Sequence, residues 1–236
     1  MKRFYKTVAV EPIDGGWRVT LDGRAIKTAG GRAQVVPTSA LAEAMADEWL
    51  EQGETIDPTR FVLRDLADYA IDVVAPAPAD VARSLLPYAE TDTLCYRAEP
   101  DEALFERQAQ VWEPLLIAAE TRWHLRFDRI SGVIHRAQPP ETLARLEAVL
   151  AQETPFTLAS LQTLASLAAS LVVGLAALAP DADAETLWDA ANLEEDWQAE
   201  LWGKDDEALA LRARRFAAFA AAMRFAELAR PSTGKG

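Results

Sequence analysis

Cysteine and histidine are scarce in this chain: 236 residues hold only Cys95, His124 and His135. A lone cysteine excludes an internal disulfide, and the three side chains together leave little for a structural zinc site. Such usage fits a reducing compartment. Thirteen prolines and eleven glycines are too few for a collagen-like or low-complexity chain, and a 50% apolar content with 26% charged residues is that of a folded globule.

Positive charge is short as well. Twenty-four Lys and Arg stand against 37 Asp and Glu, a formal charge of −13, which excludes the basic surface that non-specific nucleic-acid binding requires. The imbalance is uneven: residues 1–32 carry +4, residues 212–236 carry +5, and the stretch between them carries −22. Such a middle would repel nucleic acid, anionic lipid and acidic partners alike. Long apolar runs are nearly missing. No charge lies between Glu153 and Asp181, but Thr157, Ser160, Gln162, Thr163, Ser166 and Ser170 recur there. A buried central helix is therefore expected, without membrane insertion. The opening MKRFYKTVAV has neither the apolar core of a signal peptide nor the composition of an organellar presequence, so a cytoplasmic location is expected.

Catalytic signatures are also wanting. Gly15-Gly16 and Gly30-Gly31 have the spacing of turns rather than of a phosphate cradle, and Ser232-Thr-Gly-Lys-Gly236 has its residues in the wrong order for a nucleotide loop. Cys95, between Leu94 and Tyr96, reads as a small buried thiol. The histidines, eleven residues apart, share no helical face and no usual metal spacing. No metal, cofactor or small-molecule substrate is expected and the chain does not read as an enzyme. Because carboxylates are abundant, a hydrolase with an unrecognised carboxylate pair stays open as an alternative. So does a plain protein-binding scaffold.

What is present first is a β-meander: Phe4 to Val10, Trp17 to Leu21, Arg24 to Thr28 and Ala33 to Val36, with turns at Asp14-Gly15-Gly16, Asp22-Gly23 and Gly30-Gly31. Thr38 or Ser39 then caps a helix whose apolar positions Leu41, Ala44, Met45 and Trp49 fall at helical spacing. Helical patterns follow almost throughout, broken at Pro76 and Pro78 and headed by Pro100, Pro139-Pro140, Pro155 and Pro180, with one further strand possible over 125–134. The expected fold is α+β: an N-terminal mixed α/β module over residues 1–95 with an antiparallel β-meander, then a C-terminal orthogonal α-helical bundle over 96–230, with a frayed tail over 231–236.

Seven tryptophans are many for this length, and several adjoin acids: Glu48-Trp49, Trp112-Glu113, Trp188-Asp189 and Asp196-Trp197. Large aromatics with a polar rim suit protein-binding surfaces as well as cores. Residues 184–202 read as one helix in which Leu187, Ala190, Ala191, Trp197 and Leu201 fall within an arc of about 120°, with Glu194 near its centre. A carboxylate inside an apolar stripe admits two readings. Either it meets a core edge and pairs with Arg212, Arg214 or Arg215, or the stripe docks a partner chain whose register the carboxylate fixes.

Several blocks then occur in order: Arg3-Phe-Tyr-Lys6, Leu21-Asp-Gly-Arg-Ala-Ile-Lys-Thr28, Pro37-Thr38, Glu48-Trp49 with Gln52, Leu66-Ala67 with Ala70-Ile-Asp72, Thr91-Asp-Thr-Leu-Cys-Tyr-Arg-Ala98, Trp112-Glu-Pro114, and Leu193-Glu-Glu-Asp-Trp-Gln198 before Trp202-Gly203. Together they resemble the assembly chaperone family for the α subunit of the F-type ATP synthase catalytic head, in its bacterial branch. The resemblance spans about residues 3–205 and is thin over 139–185. It implies an α/β neck followed by a helical bundle, and an ATP-independent chaperone. That chaperone would bind the unassembled α subunit, prevent its aggregation and hand it over for assembly. The family's acidic position falls on Glu194 and its EW-x-x-Q tryptophan on Trp49. The candidate partner-binding residues are Glu194, Glu195, Trp197, Leu187, Leu201 and Trp49.

Overall fold

A computed structural model describes residues 1–132, 134–203 and 205–231. All of the expected frayed tail after Pro231 lies outside the described residues. The chain divides into two compact units: residues 1–78 with 154–160 and the chain from Arg224, and residues 79–153 with 161–223.

The first unit opens with a three-stranded antiparallel sheet, β1 (Val8–Ile13), β2 (Gly16–Leu21) and β3 (Arg24–Ala25), in that spatial order. The β2–β3 turn is Asp22-Gly23, both at positive φ, as the tight hairpin requires. Asp22 also accepts the N–H groups of Lys6 and Thr7 at 3.0 and 2.8 Å, bonds that hold its carboxyl below the usual range. The first expected strand is displaced along the chain, beginning four residues after Phe4 and ending three past Val10. Residues before Thr7 are drawn aside because Arg3 donates to Gln52 O at 2.7 Å and the Tyr5 hydroxyl to Trp49 O at 2.6 Å. The fourth expected strand contracts to two isolated bridges, Lys27 with Ala33 and Trp17 with Val36. Its loop is instead clamped by carboxylates: Asp72 accepts from Thr28 Oγ1 and the Gly30 N–H, and Asp68 accepts from the Ala29 N–H.

Helix α1 (Ser39–Leu50) covers the sheet, with Thr38 Oγ1 accepting the Leu41 N–H at its start. Its buried face, Leu41, Ala42, Met45 and Trp49, meets Tyr5, Val19, Val36 and Phe61, and Phe225 and Ala229 from the other end of the chain complete this core. Each large side chain so buried contributes roughly 1.5–3 kcal/mol. Helix α2 (Val62–Tyr69) follows and widens into one π turn over Ala70–Val74.

The second unit is helical apart from one small parallel pair. Its elements begin with α3 (Pro78–Leu85) and α4 (Pro87–Glu90), then β4 (Tyr96–Arg97), α5 (Ala103–Trp123), β5 (Ile130–Ser131) and α6 (Pro140–Leu150). The strand expected over 125–134 is only β5, which pairs parallel with β4. Arg97 and Arg129 tie this pair to α5 through Glu113 at 2.7 and 2.6 Å, and Arg129 also reaches Glu120. Cys95 is fully buried, and burial pushes its thiol far up, so it is inert.

The uncharged segment is two helices rather than one, α7 (Pro155–Ala168) and α8 (Leu171–Ala176). Ala169 takes a left-handed φ of 48°, and Ser170 then caps α8 by accepting the Val173 N–H at 3.0 Å. Among the described residues no helix is long and apolar enough to cross a membrane. Helices α9 (Ala184–Ala191), α10 (Leu193–Trp202) and α11 (Asp206–Leu228) complete the chain.

Candidate functional site

The 184–202 stretch folds as α9 and α10, not as the single helix its pattern suggests. Asn192 breaks it: its backbone leaves helical geometry at φ −108°, ψ 19°, and its side-chain Nδ2 donates to Trp188 O at 2.7 Å. The apolar stripe is thereby cut in two. Leu187 and Ala190 turn into the core of the second unit, beside Trp188, which packs on Phe219 at 5.5 Å. Leu201 goes the other way and is 58% exposed.

Helix α10 buries little besides Leu193, and polar contacts hold it on both sides. On the α5 side, Arg107 makes a two-pronged pair with Glu200 at 2.6 and 2.8 Å and lies 5.5 Å over the Trp197 ring. On the α11 side, Arg212 bridges Asp196 and Asp189 at 2.8 and 3.2 Å, and Arg215 reaches Glu195 at 3.8 Å. Arginine forks suit such paired contacts.

Glu194 does not take the arginine that one sequence reading offered it. Its partner is neutral: Gln108 Nε2 donates to Glu194 Oε1 at 2.6 Å. Gln108 is fully buried, and its own Oε1 accepts the Ala98 N–H at 2.9 Å, which fixes the amide so that its donor faces Glu194. Partial desolvation lifts the Glu194 carboxyl above its ordinary range, and the Gln108 bond opposes that rise. The residue is nonetheless exposed at the surface.

Two open grooves flank α10. One, of about 960 Å³, is lined by Trp202, Val111, Ala190 and Leu209 among others. The second, of about 1240 Å³, runs past Tyr96, Ile134, Leu211 and Glu194. Trp202, 83% exposed, is the side chain that the apolar arc omits. Its indole N–H donates to Gln198 Oε1 at 3.1 Å, and Gly203 at φ 93° ends the helix directly behind it. A tryptophan one position past the expected stripe gives no periodicity signal; only its exposure marks it.

Glu194, Glu195, Trp197 and Leu201 thus share α10, whereas Leu187 is buried on α9. Trp49 lies in the core of the first unit, between Tyr5 and Phe61 at 5.4 and 4.4 Å between ring centres. The whole EW-x-x-Q block is architectural there. Glu48 accepts the Leu63 and Arg64 N–H groups at 2.6 and 3.0 Å, which caps α2 where Phe61 offers no side-chain bond. Gln52 accepts the Asp57 N–H at 2.7 Å and donates to Glu48 O at 3.1 Å. Among the described residues no group of three or more His, Cys, Asp or Glu side chains could hold a metal.

A helix braced by ion pairs on two sides, with exposed Leu201 and Trp202 and set between two open grooves, has the features of surfaces by which proteins bind other proteins. The model of the ATP12 chaperone protein family matches residues 2–120. The crystal structure of Atp12 from Paracoccus denitrificans superposes with a TM-score of 0.92 at 41% identity, over 97% of this chain and 98% of that one. A protein from Agrobacterium tumefaciens superposes with the same TM-score at 38% identity, over 97% of this chain and 86% of its own. The mitochondrial protein atp12 of Schizosaccharomyces pombe is 26% identical over 219 residues, 88% of this chain and 75% of its own length. The chain belongs to the ATP12 chaperone family. It is a chaperone of ATP synthase assembly and not an enzyme, with the α+β fold that its sequence pattern implied.

Proposed function

We propose that the protein binds the unassembled α subunit of the F-type ATP synthase catalytic head in the bacterial cytoplasm. It keeps that subunit from aggregating without nucleotide chemistry and yields it to the β subunits. In this reading residues 1–95 are the neck and 96–230 carry the client surface. Glu194, Glu195, Trp197 and Leu201 form the contact ridge together with Trp202, while Leu187 and Trp49 serve the cores of their own units.

The observation that carries the reading is the pairing of Leu201 and Trp202, 58% and 83% exposed, with a carboxylate that a buried glutamine orients. Fold stability does not need these two side chains outside, and an unassembled subunit exposes apolar interface surface that they can cover. The test is light scattering of freshly diluted α subunit at mild heat, with and without the protein and with no nucleotide. Suppression at near-equal stoichiometry, reversed by adding β subunit, is expected. No suppression at several-fold excess overturns the client assignment, and equal binding to assembled heads would favour a scaffold.

A further inference from the structure

The larger groove beside α10 differs from its neighbour in charge. Three arginines line it, and each is already spent: Arg97 on Glu113, Arg212 on Asp189 and Asp196, and Arg215 on Glu195. Three carboxylates line it without an ion-pair partner among the described residues, Glu99, Glu102 and Glu194. In the smaller groove the acids are mostly answered from within, Glu200 by Arg107 and Asp189 and Asp196 by Arg212. The larger groove therefore presents uncompensated negative charge.

The same groove is apolar along its length. Ile134 and Leu211, 77% and 51% exposed, stand on its walls with the half-buried Leu104. Its volume of about 1240 Å³ is ample for several side chains of a chain segment.

We propose that this groove takes up a segment of the client subunit in which an arginine or lysine lies between apolar residues. The cation meets Glu99 and Glu102, and its apolar neighbours lie on Ile134, Leu211 and Leu104. The inference rests on the α subunit as client and adds the place and the chemistry of one contact. Charge at such a rim acts mainly on the rate of encounter and on its salt dependence, while the apolar contacts act on residence.

The test uses the full chain and the isolated α subunit, with association followed by stopped-flow fluorescence at low and high salt. The double variant Glu99→Lys with Glu102→Lys should associate about tenfold more slowly at low salt and lose most of the parent's salt dependence. Leu211→Asp should instead shorten the complex's lifetime at every salt concentration. All three positions are exposed, so both variants should unfold near the parent's urea midpoint. Parent-like rates and lifetimes in both variants, with the parent binding normally, overturn the groove and leave the client assignment standing. A parent that does not bind the α subunit overturns both. A benzophenone placed at position 211 should also cross-link to a client peptide containing Arg or Lys, and a cross-linked peptide lacking both residues overturns the assigned chemistry.

Discussion

Gln108 faces Glu194 across 2.6 Å, and because its other amide atom is engaged by the Ala98 N–H the donor cannot turn away. A neutral donor steadies the carboxylate without cancelling its charge, as an arginine would. Glu194→Lys leaves the buried Gln108 donor without its acceptor, so it should cost about 1–3 kcal/mol of stability in urea, short of unfolding the protein, while capture of the α subunit falls steeply. Glu194→Gln, which still accepts from Gln108, should lose less. A Glu194→Lys protein that melts outright would return the residue to the core-edge reading.

Gln108→Leu removes the donor to Glu194 and leaves the Ala98 N–H without its acceptor. A cost of about 1–3 kcal/mol is expected, because one buried group is orphaned. Urea denaturation reads the stability, and the same preparation should capture client less well, since the Glu194 side chain is no longer held.

Trp202 and Trp49 should behave oppositely. Trp202→Ala is expected to change stability by less than about 0.5 kcal/mol and to weaken capture about tenfold or more, as for an exposed aromatic anchor. Trp49→Ala empties the space between Tyr5 and Phe61 and should cost about 3–5 kcal/mol. Parallel calorimetry and light scattering separate the two outcomes.

Asp92 gives a pH dependence of unusual sign. Burial lifts its carboxyl to about 6, against N–H donors from Val172 and Leu94. The folded protein thus binds this proton more tightly than the unfolded chain, whose aspartate titrates at about 4. The group's stabilising contribution is complete below about pH 4 and is lost as pH rises through 6. Between those limits the parent should gain up to about 3 kcal/mol on acidification relative to Asp92→Asn, which cannot titrate. Urea unfolding at the two ends of the window reads this difference, and a gap independent of pH would sink the assignment.

Gly30→Ala would place a Cβ 2.6 Å from Asp72 Oδ2, the atom that accepts the Gly30 N–H. The clamp on the 28–34 loop must open, at a cost of about 1–3 kcal/mol. Trypsin should then cut at Arg32 faster than in the parent.

Local chemistry was legible in the sequence wherever it settled structure by itself. The Asp22-Gly23 hairpin, the Thr38 cap and the long helix after Pro100 all appear, because turn geometry, capping and apolar period act over a few residues. The breaks at Ala169 and Asn192 were not legible, since both sit inside unbroken helical periodicity: a tertiary bond from the Val172 N–H to Asp92 holds the chain after the first, and the Asn192 side chain on Trp188 O marks the second. Pairing of β4 with β5 across more than thirty residues of chain has no local signal either. At the candidate site the apolar arc marks Glu194, but its partner on α5 lies 86 positions away, and Trp202 falls outside that arc.

Thr38, which starts α1, donates its hydroxyl to Leu228 O at 2.5 Å, and Phe225 and Ala229 share a core with Leu41 and Trp49. Thr38 and Leu228 stand 190 positions apart, so the sheet and its covering helix are synthesised well before the residues that close over them. Through that interval the nascent chaperone carries an uncovered apolar face, the same hazard it exists to relieve in another chain.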